Sequence, residues 1–207
     1  MKLYSTVRGA GQAEQIIDKS RFIAYVSPAE TKEEADAFIA SIKKKHKDAT
    51  HNVPAMVIGE KFQIQWASDD GEPQGTSGAP MVQMLVSEGI TNVAIVVTRY
   101  FGGIKLGTGG LVRAYTSSAK LGLEAAGICD IEEMCLLTFV LDYTYLAKLQ
   151  NLAGGDLFDI QDIGYTDVVE VKLSCYPDKE NEVIDLVTNL TGGKGTLKNR
   201  CVELVRK

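Results

Sequence analysis

At 207 residues, 45% hydrophobic and with a net charge of −5, the chain can bury a substantial core in one large domain or two small ones. Its acidity argues against indiscriminate binding to nucleic acid. No stretch reaches the run of about 18 apolar residues that a membrane span needs, and the start MKLYSTVRGAGQAEQ lacks the basic-then-apolar pattern of a secretory signal, so a cytoplasmic location is expected.

Taken from the N-terminus, residues 14–27 (EQIIDKSRFIAYVS) are rich in strand formers. Thr31 followed by Glu34 is a capping-box pair opening a helix with Ala35, Phe38, Ile39 and Ile42 on its buried face. That helix ends in Lys43, Lys44, Lys45 and Lys47. A lysine run there complements the helix dipole, so a solvated end is expected in preference to a nucleic-acid patch. Strands are predicted at 53–58 and 62–67, then a loop with glycine and proline at 68–80, a helix at about 80–88 and a buried strand at 92–98 (NVAIVVT). A long helix from about Gly109 to Ala126 completes an α+β domain ending near Asp130. Leu111, Tyr115, Ser118, Gly122 and Ala125 form its inner face, with Arg113, Lys120 and Glu124 outside.

The period of the apolar pattern then changes in a regular order. Residues 134–141 (MCLLTFVL) read as a strand, and Asp142 can cap a helix carrying Leu146, Leu149 and Leu152 before Gly154-Gly155 stops it. Strands at 156–163 and 167–175 flank Gly164-Tyr165-Thr166 as a hairpin turn. Asp178, after Pro177, caps a helix with Val183, Leu186, Val187 and Leu190 on one face; Gly192-Gly193 ends it and residues 196–205 return as a strand. The order βαββαβ is that of a ferredoxin-like unit. Two α+β domains are therefore expected, at 1–130 and 131–207.

Charge divides at the same place. Residues 1–130 carry 14 Lys plus Arg against 14 Asp plus Glu, whereas residues 131–207 carry 8 against 13. Within the neutral part, Gly89 to Leu123 holds Arg99, Lys105, Arg113 and Lys120 and no acidic residue, which makes it the best candidate for a face that meets something anionic. Four widely spaced cysteines, Cys129, Cys135, Cys175 and Cys201, form no CxxC pair, and His46 and His51 are the only histidines. A zinc site is poorly supported, and reduced, mostly buried thiols are expected.

Two segments could carry chemistry. In Ser68-Asp69-Asp70-Gly71-Glu72-Pro73-Gln74-Gly75-Thr76-Ser77-Gly78-Ala79-Pro80 the acids Asp69, Asp70 and Glu72 could bind a divalent cation. Their spacing is not that of an EF-hand, and Asp-Gly and Glu-Pro are also ordinary turn chemistry, with Thr76 or Ser77 able to cap the next helix. The second segment leaves the buried strand and enters the long helix: Arg99, Tyr100, Phe101, Gly102, Gly103, Ile104, Lys105, Leu106, Gly107, Thr108, Gly109, Gly110. Backbone N–H groups and a helix dipole make an anion site in that context, with Arg99, Lys105 and Arg113 to add charge. The run is neither a P-loop nor a dinucleotide fingerprint. Its glycines equally serve turns and close approach of helix to sheet, with Tyr100 and Phe101 filling core. No serine or cysteine motif places a histidine beside it, and no G-x-S-x-G elbow occurs, so nothing supports a nucleophilic enzyme.

The runs DDGEPQGTSGAP and NVAIVVTRYFGGIKLGTGGLVRAY, with Lys19-Ser20-Arg21-Phe22-Ile23-Ala24 and His51-Asn52, resemble the signature of the IMPACT family and its YigZ-like bacterial members. After His51-Asn52 this chain carries Val53-Pro54-Ala55-Met56, where the family tends to carry a cysteine and aromatic residues. The resemblance implies a first domain similar to the second domain of a small-subunit ribosomal protein and of GHMP kinases. It implies a ferredoxin-like second domain similar to a C-terminal domain of elongation factor G. It also implies a place in translation, since eukaryotic members regulate translation by competing for a scaffold protein of a starvation-responsive kinase pathway.

The expected function is a binding protein without a cofactor, meeting ribosome, RNA or a translation-related protein through the basic glycine-rich loop. The rival is an enzyme or small-ligand protein holding a phosphorylated molecule there, with a cation on Asp69, Asp70 and Glu72.

Overall fold

The computed structural model describes residues 2–207 and divides them into two compact units, Tyr4–Asp130 and Ile131–Lys207, with residues 2 and 3 counted in the second. In chain order the elements begin β1 (Lys2–Val7), β2 (Gly11–Ile17), β3 (Ser20–Pro28), α1 (Lys32–Lys45), β4 (His51–Ile58) and β5 (Ile64–Ala67). They continue with α2 (Gly78–Ser87), β6 (Val93–Tyr100), α3 (Gly107–Ala126) and β7 (Ile128–Leu141). Among the described residues no helix is long and apolar enough to cross a membrane.

The first unit is an antiparallel sheet in the order β2-β3-β6-β4-β5. Both faces of its centre are covered. On one side Phe22, Ala24, Val26, Val53, Val57, Ile95 and Val97 pack with Met81 and Leu85 of α2 and Leu111, Tyr115 and Leu123 of α3. On the other, Ile23, Tyr25, Met56, Ala94 and Val96 pack with Ala35, Ile39 and Ile42 of α1. A strand buried on both faces has no polar side to show, which is why β6 reads as a continuous apolar run.

The fold corrects two local expectations and adds one strand. The strand region 14–27 is a hairpin, because Asp18 and Lys19 adopt φ of +45° and +64° and turn the chain back on itself. Residues 2–7, left unassigned by the pattern, form β1, whose Ser5 exchanges backbone hydrogen bonds with Gly89 and Thr91. Ala125 is exposed, and the inner face of α3 runs instead through Leu111, Ala114, Tyr115, Ser118, Ala119, Gly122, Leu123 and Ala126. Gly122 is needed there: a Cβ on it would come within 2.9 Å of Ala24 and Val26 side chains.

In the second unit β7 is followed by α4 (Tyr143–Leu152), β8 (Asp159–Tyr165), β9 (Val169–Cys175), α5 (Glu180–Thr191) and β10 (Thr196–Arg206). The strand order β10-β7-β9-β8, all antiparallel, is that of a ferredoxin-like βαββαβ unit. Leu149 of α4 and Val183 and Val187 of α5 bury against Leu137, Phe139, Val171 and Leu173. Asp142 caps α4 by accepting from the Thr144 N–H at 2.9 Å. Asp178 does not cap α5. A 3-10 turn over Pro177–Lys179 intervenes, and the helix starts at Glu180. The hairpin turn also lies further on than expected, since Tyr165 still pairs with Val169.

Candidate functional site

Strand register builds the site. Arg99 on β6 lies directly opposite Phe22 on β3 and His51 on β4, so the three stand in one row across three adjacent strands. The alternation Val93, Ile95, Val97 places the next residue of that series, Arg99, on the face under α3. A guanidinium thus occupies a core position, 5% exposed.

Such a charge needs a partner, and the loop after β5 supplies one. Glu72, with its side chain 4% exposed, accepts from Arg99 Nη1 at 2.7 Å. The same oxygen, Oε1, accepts from the Tyr115 hydroxyl of α3 at 2.7 Å. Burial, and then that bond to Glu72, push the Tyr115 phenol well above its ordinary value, so it stays a donor. Arg99 Nη2 donates to Ser20 Oγ at 3.3 Å. Arg99 Nε is, among the described residues, the one buried side-chain nitrogen or oxygen without a hydrogen-bond partner. The guanidinium carbon lies 5.4 Å from the ring centres of both Phe22 and Phe101, whose π faces offset part of that deficit.

His51 completes the row. Its Nδ1 is 2.8 Å from the Asp70 carbonyl oxygen. A carbonyl only accepts, so Nδ1 carries the hydrogen, and in the neutral ring Nε2 is an acceptor. That Nε2 lies 3.7 Å from Glu72 Oε2.

The three acids of the loop go three separate ways. Burial works to raise the Asp69 carboxyl, but N–H groups of Gly75, Gly78 and Ser77 outweigh it and hold the group below the ordinary carboxylate value. Asp69 thereby caps α2 in place of Thr76 or Ser77, since Ser77 makes no side-chain cap bond. Asp70 accepts from Lys43 Nζ and from the Asn52 N–H, both at 2.7 Å. Glu72 belongs to Arg99. Among the described residues no group of three His, Cys, Asp or Glu could hold a metal ion, which removes the geometric basis for a cation on Asp69, Asp70 and Glu72.

Along the glycine-rich run, Tyr100 turns to the opposite face of the sheet and bonds His46 Nδ1 through its hydroxyl at 2.9 Å. Phe101 and Ile104 are 46% and 41% exposed, so Phe101 lies over Arg99 rather than in a core. Gly102 is fixed by close approach, since a Cβ would sit 2.0 Å from the Lys19 carbonyl group. Gly103 and Gly107 take φ of +88° and +72°. Gly109 and Gly110 belong to the first turn of α3, which starts at Gly107 without a side-chain cap. Lys105 and Arg113 are exposed.

These pieces surround a cleft of about 440 Å³. Pro73, Phe101, Leu106 and Leu111 give it apolar walls, Arg99, Glu72 and His51 are its charged and polar members, and Lys105, Gly107 and Thr108 line it from the start of α3. Of the residues singled out in the sequence, Arg99, Glu72, Lys105 and Gly107 meet here. Arg113, Asp69, Asp70 and Tyr100 do not line it. His51 and Ser20 carry no site role from the sequence pattern, and Tyr115 reads there only as an inner-face residue of the long helix; all three lie in the runs that carry the family resemblance, which is the available signal.

Comparison with known proteins adds context. Residues 18–123 match the model of the Impact N-terminal domain, and residues 139–194 match a domain of unknown function, DUF1949. The chain is 44% identical to IMPACT family member YvyE of Bacillus subtilis over 195 residues, 94% of this chain and 90% of that protein. It is 39% identical to IMPACT family member YigZ of Escherichia coli over 140 residues, 67% and 69% of the two chains. Mouse Protein IMPACT is 33% identical over 94 residues, which cover 43% of this chain and 29% of the mouse protein. A crystal structure of a hypothetical protein superposes with a TM-score of 0.60 at 31% identity, covering 95% of this chain and 97% of the other.

Proposed function

The chain belongs to the IMPACT family, and on that premise we propose that it is a non-catalytic binding protein that meets ribosome-associated RNA through the loop after β6 and the start of α3. The observation that carries this reading is the exposed loop itself. Phe101 and Ile104 are turned outward beside exposed Lys105, with exposed Arg113 on the following helix and no acid between Gly89 and Leu123. Aromatic and apolar surface for stacking, interleaved with cations for phosphates, suits single-stranded RNA. The translation context implied by the family resemblance points the same way. Arg99 plays a supporting part, because its charge is buried against Glu72.

The test is co-sedimentation with ribosomes across a salt series, comparing the native chain with Lys105→Ala, Arg113→Ala. Each phosphate contact to a single strand contributes about 0.7 to the slope of log affinity against log salt, so the double variant should flatten it by about 1.4. An unchanged slope and affinity would sink this face as the RNA contact. Ribosome binding that survives nuclease digestion would shift the partner to a protein of the translation machinery.

A further inference from the structure

We propose that the cleft beside Arg99 receives one unstacked base of a bound RNA and favours guanine. The proposal rests on the RNA-binding reading of this face. Glu72 Oε1 is fully engaged by Arg99 and Tyr115, each at 2.7 Å. Oε2 has no hydrogen bond, its nearest polar neighbour being His51 Nε2 at 3.7 Å. With Nδ1 committed to the Asp70 carbonyl, that nitrogen of the neutral ring is also an acceptor. Two acceptors therefore stand side by side in the cleft, one of them on a carboxylate whose side chain is 4% exposed. Glu72 Oε2 carries no donor from the protein and, unlike Arg99 Nε, is not a buried orphan, so it is open to the cleft, and the occupant that best matches the two acceptors presents two adjacent N–H donors.

Among the nucleobases guanine alone has that pair on its Watson–Crick edge, from the ring nitrogen and the neighbouring amino group. Adenine and cytosine offer a single amino group and uracil a single ring N–H. Pro73, Leu106, Leu111 and Phe101 supply apolar surface for the faces of the ring. Lys105 and Thr108 line the same cleft, and the first N–H groups of α3 carry no side-chain cap, so the phosphate of the same nucleotide has partners within the site. A cationic amine would also satisfy two acceptors, but Arg99 and Lys105 beside them disfavour a positive guest.

The experiment measures binding of labelled octauridylate and of the same strand with one central uridine replaced by guanosine, inosine or adenosine. Inosine keeps the ring N–H and lacks the amino group. Guanosine should tighten binding about tenfold over adenosine, with inosine losing most of that gain. Thr108→Trp, which fills the cleft from an exposed position, should bring the guanosine-to-adenosine ratio close to one; if that variant does not fold, the inosine series on the native chain decides the same question. Equal, salt-dependent binding of all four strands by the native chain would overturn the base pocket and leave the RNA reading standing. Absence of binding to every strand at low salt would overturn the RNA reading and the pocket with it.

Discussion

Arg99 sits where the sheet would otherwise continue Val93, Ile95 and Val97 with another apolar side chain, and its burial is tolerated because Glu72 and Ser20 converge on it. Removing one partner of a buried pair strands the other charge, whereas replacing both with apolar groups often restores stability. Arg99→Ala should therefore cost about 3–5 kcal/mol by urea denaturation, and Arg99→Met combined with Glu72→Leu should recover more than half of the loss. A cost below about 1 kcal/mol for the single variant would mean that solvent reaches the pair and that it is not a core element. The same reasoning explains why cation counting along Gly89–Leu123 overstated the accessible charge. Of the four basic residues there, Arg99 is buried with Glu72 and Lys120 is paired with Glu88, which leaves Lys105 and Arg113 for a partner.

At the scale of elements, the loop that looked like a cluster of acids is a set of fasteners, and α2 depends on one of them. Asp69 accepts N–H groups from Gly75, Ser77 and Gly78 across up to nine residues of chain. Asp69→Ala should cost about 2 kcal/mol, the upper range for a lost N-cap. Its carboxyl is depressed in the folded state, so its contribution is complete above the ordinary aspartate value near 3.9 and is lost only as pH falls through the lower folded value. The difference in melting temperature between native chain and variant should accordingly be constant from neutral pH down to about pH 5 and shrink below about pH 4. A difference that vanished already near pH 6 would contradict the capping role.

Much of this level was legible in advance. The N-cap at Thr31, which accepts from the Glu34 N–H while the Glu34 carboxylate turns to the Glu30 N–H instead of closing the expected capping box, the apolar stripe of α1, the central strand β6 and the βαββαβ order all follow from short-range pattern. The Glu72–Arg99–Tyr115 contacts were not legible, because they join residues 27 and 43 positions apart and depend on strand register. Nor was the break at Asp18-Lys19, since those residues lack the Asn-Gly or Asp-Gly signal that usually marks a two-residue hairpin turn.

Over the whole molecule, the four thiols are free, with Cys129, Cys135 and Cys175 buried and Cys201 on β10 partly accessible. Burial pushes the Cys175 thiol up to about 11 and, together with nearby Glu180, raises Cys135 as well, so neither offers much thiolate near neutrality. Iodoacetamide at about pH 8 should modify the partly accessible Cys201 first and the three buried thiols only after unfolding, as followed by intact mass and peptide mapping. Early alkylation of Cys135 or Cys175 would show that the second unit opens at a cost well below global unfolding.

The strand order carries one more consequence, in time rather than in space. The central strand of the first sheet, β6, is the last of its five to be synthesised, while its neighbours β3 and β4 come earlier, each already paired on its far side with β2 and β5. A chain emerging from the ribosome thus presents two hairpins with a strand-wide slot between them until Tyr100 has appeared. Throughout that wait the inner edges of β3 and β4 are open to any extended segment of chaperone or sister chain, and the arrival of β6 closes both at once.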